Sequence, residues 1–142
     1  MKINKTAFIV LVALLFTYTD GLTEEKNKKI VGKWYNPRTY KLNGEMKGFQ
    51  FKRNGKCKAL GIETLHLNSW QIKEDKLLVE GKRFSEEKGE WERYNTVERI
   101  EKLTRDSLYL LISEPPFKIG FLYVSPKTLK KQLKQSSLPD KK

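Results

Sequence analysis

A run of ten apolar residues, 7–16, stands near the start of the chain and follows Lys2 and Lys5. A positive start followed by a short apolar run is typical of a secretory signal peptide, and ten residues are too few to span a bilayer comfortably. Small residues just before position 22 predict cleavage after Gly21, which assigns residues 1–21 to the signal. An uncleaved membrane anchor is the alternative. We therefore expect an exported chain, periplasmic or extracellular, either free or membrane-associated.

Beyond residue 30, apolar and polar residues alternate in short segments that turn signals separate. The segment 47–52 places Phe49 and Phe51 on one face, and the following Asn54-Gly55 pair favours a tight hairpin turn. Turns recur about every 8 to 14 residues, which is the spacing of a β-sandwich or barrel. The pattern predicts an all-β domain over residues 30–125, preceded over 22–29 by a flexible lead-in, with one helical turn there as the alternative.

The first strand candidate carries the sequence Ile-Val-Gly-Lys-Trp, with Gly32 two residues before Trp34. A glycine near a buried tryptophan suits the end of a barrel, because the missing side chain leaves room for the indole to lie across the entering backbone. Gly32 and Trp34 are therefore predicted to form a structural plug at one end of the domain.

The charge balance is strongly basic, with a formal net charge of +12. A net positive charge attracts anionic partners, and it also keeps a protein soluble. The segment 126–142 concentrates six lysines against Asp140 alone and has Leu129 and Leu133 four residues apart. We expect this basic tail to be a solvated end; a short basic helix that docks on acidic lipid or glycan is the alternative.

Residues capable of catalysis are few. Cys57 and His66 are the only cysteine and histidine, so neither an internal disulfide nor a usual zinc site can form. Cys57 is interpreted as a small strand residue and His66 as a strand-surface or core histidine. The sequence has no nucleophile elbow, phosphate-binding glycine loop or metalloprotease helix. We therefore expect neither an enzyme nor a cofactor, and an exported protein is not expected to meet nucleic acid.

The order of motifs resembles that of the bacterial lipocalin-like proteins of Bacteroidota. The resemblance rests on IVGKW, on GFQFKRNGKCKALGIETLHLNSWQIKEDKLLVEGK and on VERIEKLTRDSLYL, which together span about Ile30 to Ser113. It implies an antiparallel up-and-down barrel of about eight strands that can hold one small apolar ligand. By the family pattern, the inward residues would include Phe49, Phe51, Trp70, Leu77 and Val79.

Two features depart from that pattern. Lipocalins stack a basic side chain of the last strand region on the Gly-x-Trp indole, yet no arginine follows Arg105, so Lys118 or Lys127 would have to substitute. In addition, no cysteine follows the apolar run, so the lipid anchor of many family members is not expected.

A binding pocket is predicted from the aromatic and arginine residues of the middle strands. The candidate ligand-binding residues are Trp70, Arg83, Phe84, Trp91, Arg93 and Tyr94. They would suit an amphipathic molecule with an acidic head, whereas in the alternative they simply fill a small barrel. The leading hypothesis is thus an exported protein that binds a small hydrophobic or amphipathic molecule. The second is a non-catalytic module whose basic surface docks lipopolysaccharide, glycan or an acidic protein.

Overall fold

A computed structural model describes residues 24–114 and 117–136, with the backbone alone at 113, 114 and 117. The predicted signal peptide, 1–21, and the end of the basic tail lie outside the described residues. Residues 24–30 form a helix, α1, in most of the segment expected to be a flexible lead-in. No helix of the described residues has the length and apolar character needed to cross a membrane.

Eight strands and two further helices follow α1. They are β1 (Gly32–Tyr35), α2 (Pro37–Asn43), β2 (Gly48–Phe51), β3 (Cys57–Leu60), β4 (Leu65–Lys73), β5 (Lys76–Ser85), β6 (Glu90–Leu103), β7 (Ser107–Glu114), β8 (Phe117–Val124) and α3 (Pro126–Ser136).

The strands form one antiparallel sheet in the order β3-β2-β1-β8-β7-β6-β5-β4. Its edge strands approach each other: Lys56 and Ser69 form a β-bridge, and the backbone N–H of Trp70 donates to the carbonyl of Gly55 at 2.9 Å. The Trp70 indole N–H also donates, at 2.9 Å, to the carbonyl of Lys52. The sheet therefore curls into a nearly closed barrel, which confirms the predicted fold class.

The hairpin turns form where the sequence places them. Gly55 has φ +83°, which a glycine tolerates, and the Asn54 side chain accepts a hydrogen bond from the N–H of Lys56 at 3.1 Å. The next turn, between β4 and β5, has Glu74 at φ 59°. These tight turns fix the register of the strands they join, and register decides which side chains point inward.

The core lies inside the barrel and matches the five predicted inward residues. Phe51, Trp70, Leu77 and Val79 are buried, and Phe49 packs against them while partly exposed. The other buried apolar side chains of the core are Ile30, Trp34, Cys57, Leu67, Ile72, Leu108, Leu110 and Tyr123. This agreement follows from the alternation of strands, in which every second residue faces the same side.

Helix α1 covers one end of the barrel. Lys26 donates from its Nζ to the carbonyl of Glu74 at 3.0 Å, in the turn between β4 and β5. Ile30, the last residue of α1, is completely buried, and its carbonyl accepts the indole N–H of Trp34 at 2.7 Å. We call this the closed end. The opposite end, where the loops 61–64 and 86–89 lie, is called the mouth.

The position of Trp34 confirms the predicted plug, but the predicted reason for Gly32 is wrong. A Cβ atom added at Gly32 would meet no heavy atom within 4 Å, so glycine is not needed there to make room for the indole. The backbone instead has φ +138°, a conformation that residues with a side chain rarely adopt. Gly32 therefore sets the direction in which the chain leaves α1.

Helix α2 lies within the segment expected to be all-β, and helix α3 lies within the tail expected to be a solvated end, for which a short basic helix was the alternative. The pairs Asn36-Pro37 and Asn43-Gly44 are also common in turns, and here they mark the two ends of α2. The Asn36 side chain accepts from the N–H groups of Arg38 and Thr39, and Gly44 ends the helix at φ 73°. At the other end of the chain, residues 126–136 form α3, which lies against β1.

The expectation of a solvated end is wrong for residues 126–136, because Leu129 is buried in the folded domain. Strand β8 pairs with β1 only through Tyr35 and Val124, so this seam of the barrel is short. Val124 is also buried. We infer that α3 shields the seam from the outside.

Candidate functional site

The pairing of β5 with β6 determines which side chains line the barrel interior. Thr96 lies opposite Val79 and Glu98 lies opposite Leu77, and both of these partners belong to the buried core. Because directly paired residues share a face of the sheet, Thr96 and Glu98 also point inward. By the same alternation, the inward residues nearer the mouth are Arg83, Glu92 and Tyr94.

Solvent reaches this part of the interior. Tyr94, Thr96 and Glu98 are each half-buried, in contrast to the buried Leu77 and Val79 on the adjacent strand. Apolar side chains around them, from several strands, are also only partly buried: Phe49, Leu65, Ile100 and Phe121. The interior thus combines an apolar wall with a polar strip along β6.

Glu98 is the chemically distinctive member of this strip. Burial raises the pKa of its carboxyl above the ordinary value. Glu98 forms no hydrogen bond and no ion pair with the residues that the structure describes. A half-buried carboxyl with no such partner costs folding free energy, so it is an unusual choice for a purely structural position.

Two tyrosines lie within electrostatic reach of Glu98. Burial raises the pKa of Tyr123, and the negative charges of Glu98 and ionised Tyr94 raise it further. The pKa of Tyr94 is also raised, first by burial and then by Glu98, while the positive charge of Arg83 opposes that rise. Both hydroxyls therefore stay protonated over the physiological range and can donate hydrogen bonds near the carboxyl.

The mouth carries a small charged cluster. The Lys88 Nζ lies 2.9 Å from one carboxylate oxygen of Glu92, and Arg83 Nη2 lies 3.9 Å from the other. The hydrogen bond from Lys88 is the main reason that the pKa of Glu92 is lowered. The Arg83 guanidinium also stands 5.9 Å from the ring centroid of Tyr94. Arg83 is thus an exposed cation at the entrance to the interior.

The predicted ligand-binding residues do not form one group. Arg83 and Tyr94 do face the interior. Trp70 faces it too, but near the closed end, where it is 7% exposed and bonds to the Lys52 carbonyl, so it belongs to the core. The prediction that Phe84, Trp91 and Arg93 line the same pocket is wrong. Along the strands these three residues alternate with Arg83, Glu92 and Tyr94, and they lie on the outer face.

Sequence reasoning missed Thr96, Glu98 and Tyr123. The signal for the first two was available, since Glu92, Tyr94, Thr96 and Glu98 occur at every second position of one long strand. Tyr123 lies on β8, opposite Leu108 of β7, and approaches the strip only because the barrel curls. Only the three-dimensional closure brings it near Glu98.

The remaining candidate residues have plain structural explanations. Cys57 is buried and unpaired, and burial raises the pKa of its thiol to about 11, which makes it unreactive at neutral pH. This confirms the interpretation of Cys57 as a strand residue. Among the described residues, no group of three or more His, Cys, Asp or Glu side chains could hold a metal ion.

The structure does not show the lysine stacking that was expected at the Trp34 indole. Within 24–114 and 117–136, the one cation–π contact joins Arg83 to Tyr94, so neither Lys118 nor Lys127 stacks on Trp34. Arg105 lines the same surface cleft as Trp34 at the closed end.

A nearly closed eight-stranded barrel with a partly accessible interior defines a small domain of ligand-binding type. The family model described as Lipocalin-like matches residues 26–123. The chain belongs to this lipocalin-like family, whose fold is generally a non-catalytic binding fold. A search of the curated proteins gives no match.

A solved structure supports the same assignment. The chain is similar to a lipocalin-like protein from Bacteroides thetaiotaomicron VPI-5482, with 28% sequence identity and a TM-score of 0.54. The alignment covers 66% of this chain and 94% of that one. The predicted resemblance to bacterial lipocalin-like proteins is thereby confirmed.

Proposed function

We propose that this protein is an exported, non-enzymatic carrier that binds a small amphipathic molecule inside the barrel. The observation that supports the proposal is the half-buried strip of β6, in which Tyr94, Thr96 and Glu98 face an otherwise apolar interior. Ligand sites commonly combine apolar walls with a few converging polar groups. A completely filled core would have no use for a carboxyl without a partner at this depth.

The side chains suggest the chemistry of the ligand. An apolar body would lie against Phe49, Leu65 and Phe121, which are only partly buried in the free protein. A hydroxyl, amide or amine of the ligand would donate to Glu98. At the mouth, Arg83 would attract an acidic group. The expected ligand is therefore elongated, with a hydrogen-bond donor at its inner end.

Export is proposed from the sequence, on the lysines at positions 2 and 5 and the apolar run 7–16. The test is to determine the first residue of the protein recovered from its own host by mass spectrometry. A start near Leu22 supports export, whereas full-length protein from the cytoplasm and free of membranes contradicts it.

Native mass spectrometry of the same material tests for a co-purified small molecule. A second test uses the fluorescent apolar anion 8-anilinonaphthalene-1-sulfonate as probe. Thr96→Trp should fill the interior and abolish probe binding, whereas Val97→Trp is the matched control because Val97 lies on the same strand and faces outward. Circular dichroism establishes that both variants fold. Equal binding by both folded variants would contradict an interior site.

Glu98→Gln is an independent variant for the case in which Thr96→Trp does not fold. It is expected to lower the affinity for the co-purified ligand. The charge-matched control is Glu90→Gln, on an exposed position of the same strand. Unchanged affinity of Glu98→Gln for the co-purified ligand would show that the carboxyl does not contact it.

The basic surface supports a second candidate function, the docking of an anionic lipid surface. A cleft of about 460 Å³ at the closed end is lined in part by Lys28, Lys29, Lys33 and Arg105. Helix α3 begins at the same cleft and has no acidic residue in its first turn. Clustered cations of this kind favour anionic headgroups by up to about 1 kcal/mol for each cation near the surface.

Sedimentation with anionic and neutral vesicles tests this second function. The appropriate variant replaces Lys127, Lys130 and Lys131 by glutamine, because deleting α3 would also remove the buried Leu129. Weaker sedimentation with the anionic vesicles alone would support docking. Equal sedimentation of the variant and the unaltered protein would contradict a role for these lysines.

A further inference from the structure

Trp91 differs from the other two tryptophans of the chain. Trp34 and Trp70 are 3% and 7% exposed, and each indole N–H donates to a backbone carbonyl. Trp91 is 42% exposed, and its indole N–H donates to no acceptor within the described ranges. The first two are therefore structural, whereas Trp91 offers both a ring surface and an unused donor to the solvent.

Neighbouring rings hold Trp91 in place on the outer face of β4, β5 and β6. The His66 ring stacks on it with centroids 4.3 Å apart and an interplanar angle of 26°. Phe84, directly opposite on β5, meets it edge-on with centroids 5.5 Å apart. These contacts limit the rotation of the indole, so a ligand would meet a preformed aromatic surface and lose less entropy on binding.

Polar side chains surround this aromatic surface in a shallow cleft of about 300 Å³. The strand register places Lys82 opposite Arg93 and Glu80 opposite Asn95, all on the outer face. Asn68 joins them at the point where a β-bulge shifts the register of β4 between Leu67 and Ser69. The outward polar residues that line the cleft beside Trp91 are Asn68, Glu80, Lys82, Arg93 and Asn95.

Several of these polar groups are available for a ligand. Glu80 and Asn68 make no hydrogen bond or ion pair with any residue of the described ranges. The Asn95 amide is already engaged: its oxygen accepts from Arg93 Nε at 3.2 Å and its nitrogen donates to the carbonyl of Tyr94 at 2.9 Å. The cleft thus offers a ligand the Asn68 amide, a carboxylate and two cations, a mixture of donors and acceptors within one small surface.

We propose that this outer cleft binds a saccharide, with one face of a sugar ring packed on Trp91 and its hydroxyls bonded to Asn68, Glu80 and Arg93. A sugar hydroxyl both donates and accepts, so the Asn68 amide, the Glu80 carboxylate and the Arg93 guanidinium can satisfy it from both sides. A purely apolar ligand would leave this polar rim desolvated without partners, at a cost in free energy. The Glu80 carboxylate offsets part of the positive charge of Lys82 and Arg93, so the cleft suits a neutral hydroxylated ligand better than a phosphate. The volume, at the lower limit of typical small-molecule sites, suits a short oligosaccharide.

This cleft is separate from the barrel interior, because successive residues of β6 alternate between the two. Trp91, Arg93 and Asn95 face outward, whereas Glu92, Tyr94 and Thr96 face inward. Saccharide binding in the outer cleft therefore does not depend on ligand binding in the interior. Variants of outward and of inward residues distinguish the two sites.

An array of immobilised neutral and acidic oligosaccharides, followed by titration of the best-bound one in solution, tests the proposal. Isothermal titration calorimetry gives the affinity of every variant, including Trp91→Ala, and the fluorescence of Trp91 is a second readout in the proteins that retain it. Trp91→Ala and Glu80→Ala are each expected to lower the affinity at least tenfold. The matched control is Val97→Ala, on the same face of β6 and 59% exposed. This control, and Thr96→Trp inside the barrel, should leave saccharide affinity unchanged.

Absence of binding to every oligosaccharide of the array would overturn the proposal, as would binding that Trp91→Ala leaves unchanged. Analytical ultracentrifugation tests the alternative that a second copy of the chain occupies the cleft. If the unaltered protein dimerises and Trp91→Ala is monomeric, with no saccharide bound by either, the cleft is a contact between two copies of the chain and the saccharide proposal is wrong.

Discussion

The indole N–H of Trp34 donates to the carbonyl oxygen of Ile30 at 2.7 Å, and both side chains are almost completely buried. This bond joins the first strand of the barrel to the last residue of α1. A helix carbonyl that has no partner within the helix is thereby satisfied by the ring that fills the closed end. The contact explains why the ordered barrel begins immediately after Ile30.

Trp34→Ala should therefore destabilise the protein by about 3–5 kcal/mol, the usual range for truncating a core aromatic residue. The measurement is the free energy of unfolding from urea denaturation. Trp91→Ala is the matched control, because the exposed Trp91 ring contributes little to the core. A loss below about 1 kcal/mol for Trp34→Ala would contradict its structural role.

Gly32→Ala should destabilise the protein by about 1–3 kcal/mol through backbone strain alone, because φ is +138° there. No atom would clash with the added methyl group. The control is Lys33→Ala at the exposed neighbouring position, which should change stability by less than about 0.5 kcal/mol. Equal stability of the two variants would mean that the backbone at position 32 relaxes without strain.

Local patterns were sufficient to predict a β-sandwich or barrel, and the family resemblance narrowed this prediction to an up-and-down barrel. Phe49 and Phe51 alternate next to the Asn54-Gly55 turn, so both the face and the register of β2 follow from neighbouring residues. Local patterns could not predict helix α2. Asn36-Pro37 is equally suited to starting a turn or a helix, and a helix of seven residues leaves almost no periodic signal.

The binding residues were predicted less well because they were grouped by chemistry rather than by the alternation of the strands. Phe84 and Trp91 are aromatic like Tyr94, yet they lie on the opposite face of the sheet. Counting by twos along β6 would have separated Trp91 from Tyr94. The approach of Tyr123 to Glu98 depends on the closure of the whole barrel, which no local pattern contains.

The stability of the protein should fall between pH 9 and pH 11 in part because of Cys57. Burial raises the pKa of its thiol from 9.0 to about 11. In this window the unfolded chain releases the thiol proton while the folded chain keeps it, so rising pH favours unfolding by about 1.4 kcal/mol per pH unit. Below pH 9 both states hold the proton and this contribution does not vary.

The comparison of unaltered protein with Cys57→Ala isolates that contribution, since the lysines and tyrosines are common to both. Urea denaturation at pH 8 to 11 should show a smaller loss of stability in Cys57→Ala. The folded protein should also react very slowly with iodoacetamide at pH 8. Parallel pH profiles and rapid alkylation would show that the thiol is accessible and ionises normally.

Glu98→Gln should stabilise the ligand-free protein at neutral pH. Burial raises the pKa of Glu98, so the unfolded chain ionises at lower pH than the folded one. Stability is therefore lost as the pH rises through that interval, and the loss is complete above the folded-state pKa. The amide removes it, and the two proteins should converge below about pH 4, where the carboxyl is protonated in both states.

Thermal unfolding at pH 4 and pH 7 measures the effect of Glu98→Gln, with Glu90→Gln as the exposed control. A variant that is less stable than the unaltered protein at pH 7 would indicate that Glu98 has a structural partner instead.

Leu129→Ala should destabilise the barrel by about 2–4 kcal/mol, because Leu129 is only 2% exposed. The helix around it, α3, is mostly polar and basic. The Leu129 side chain is buried in the folded domain, and its truncation leaves a cavity beside the β1–β8 seam, which is held by a single residue pair. Leu42→Ala, at a 76% exposed position of α2, is the matched control and should change stability by less than about 0.5 kcal/mol. Urea denaturation distinguishes the two. If both variants are as stable as the unaltered protein, α3 does not pack on the barrel, and the segment after Ser125 behaves as the solvated basic tail that its sequence suggests.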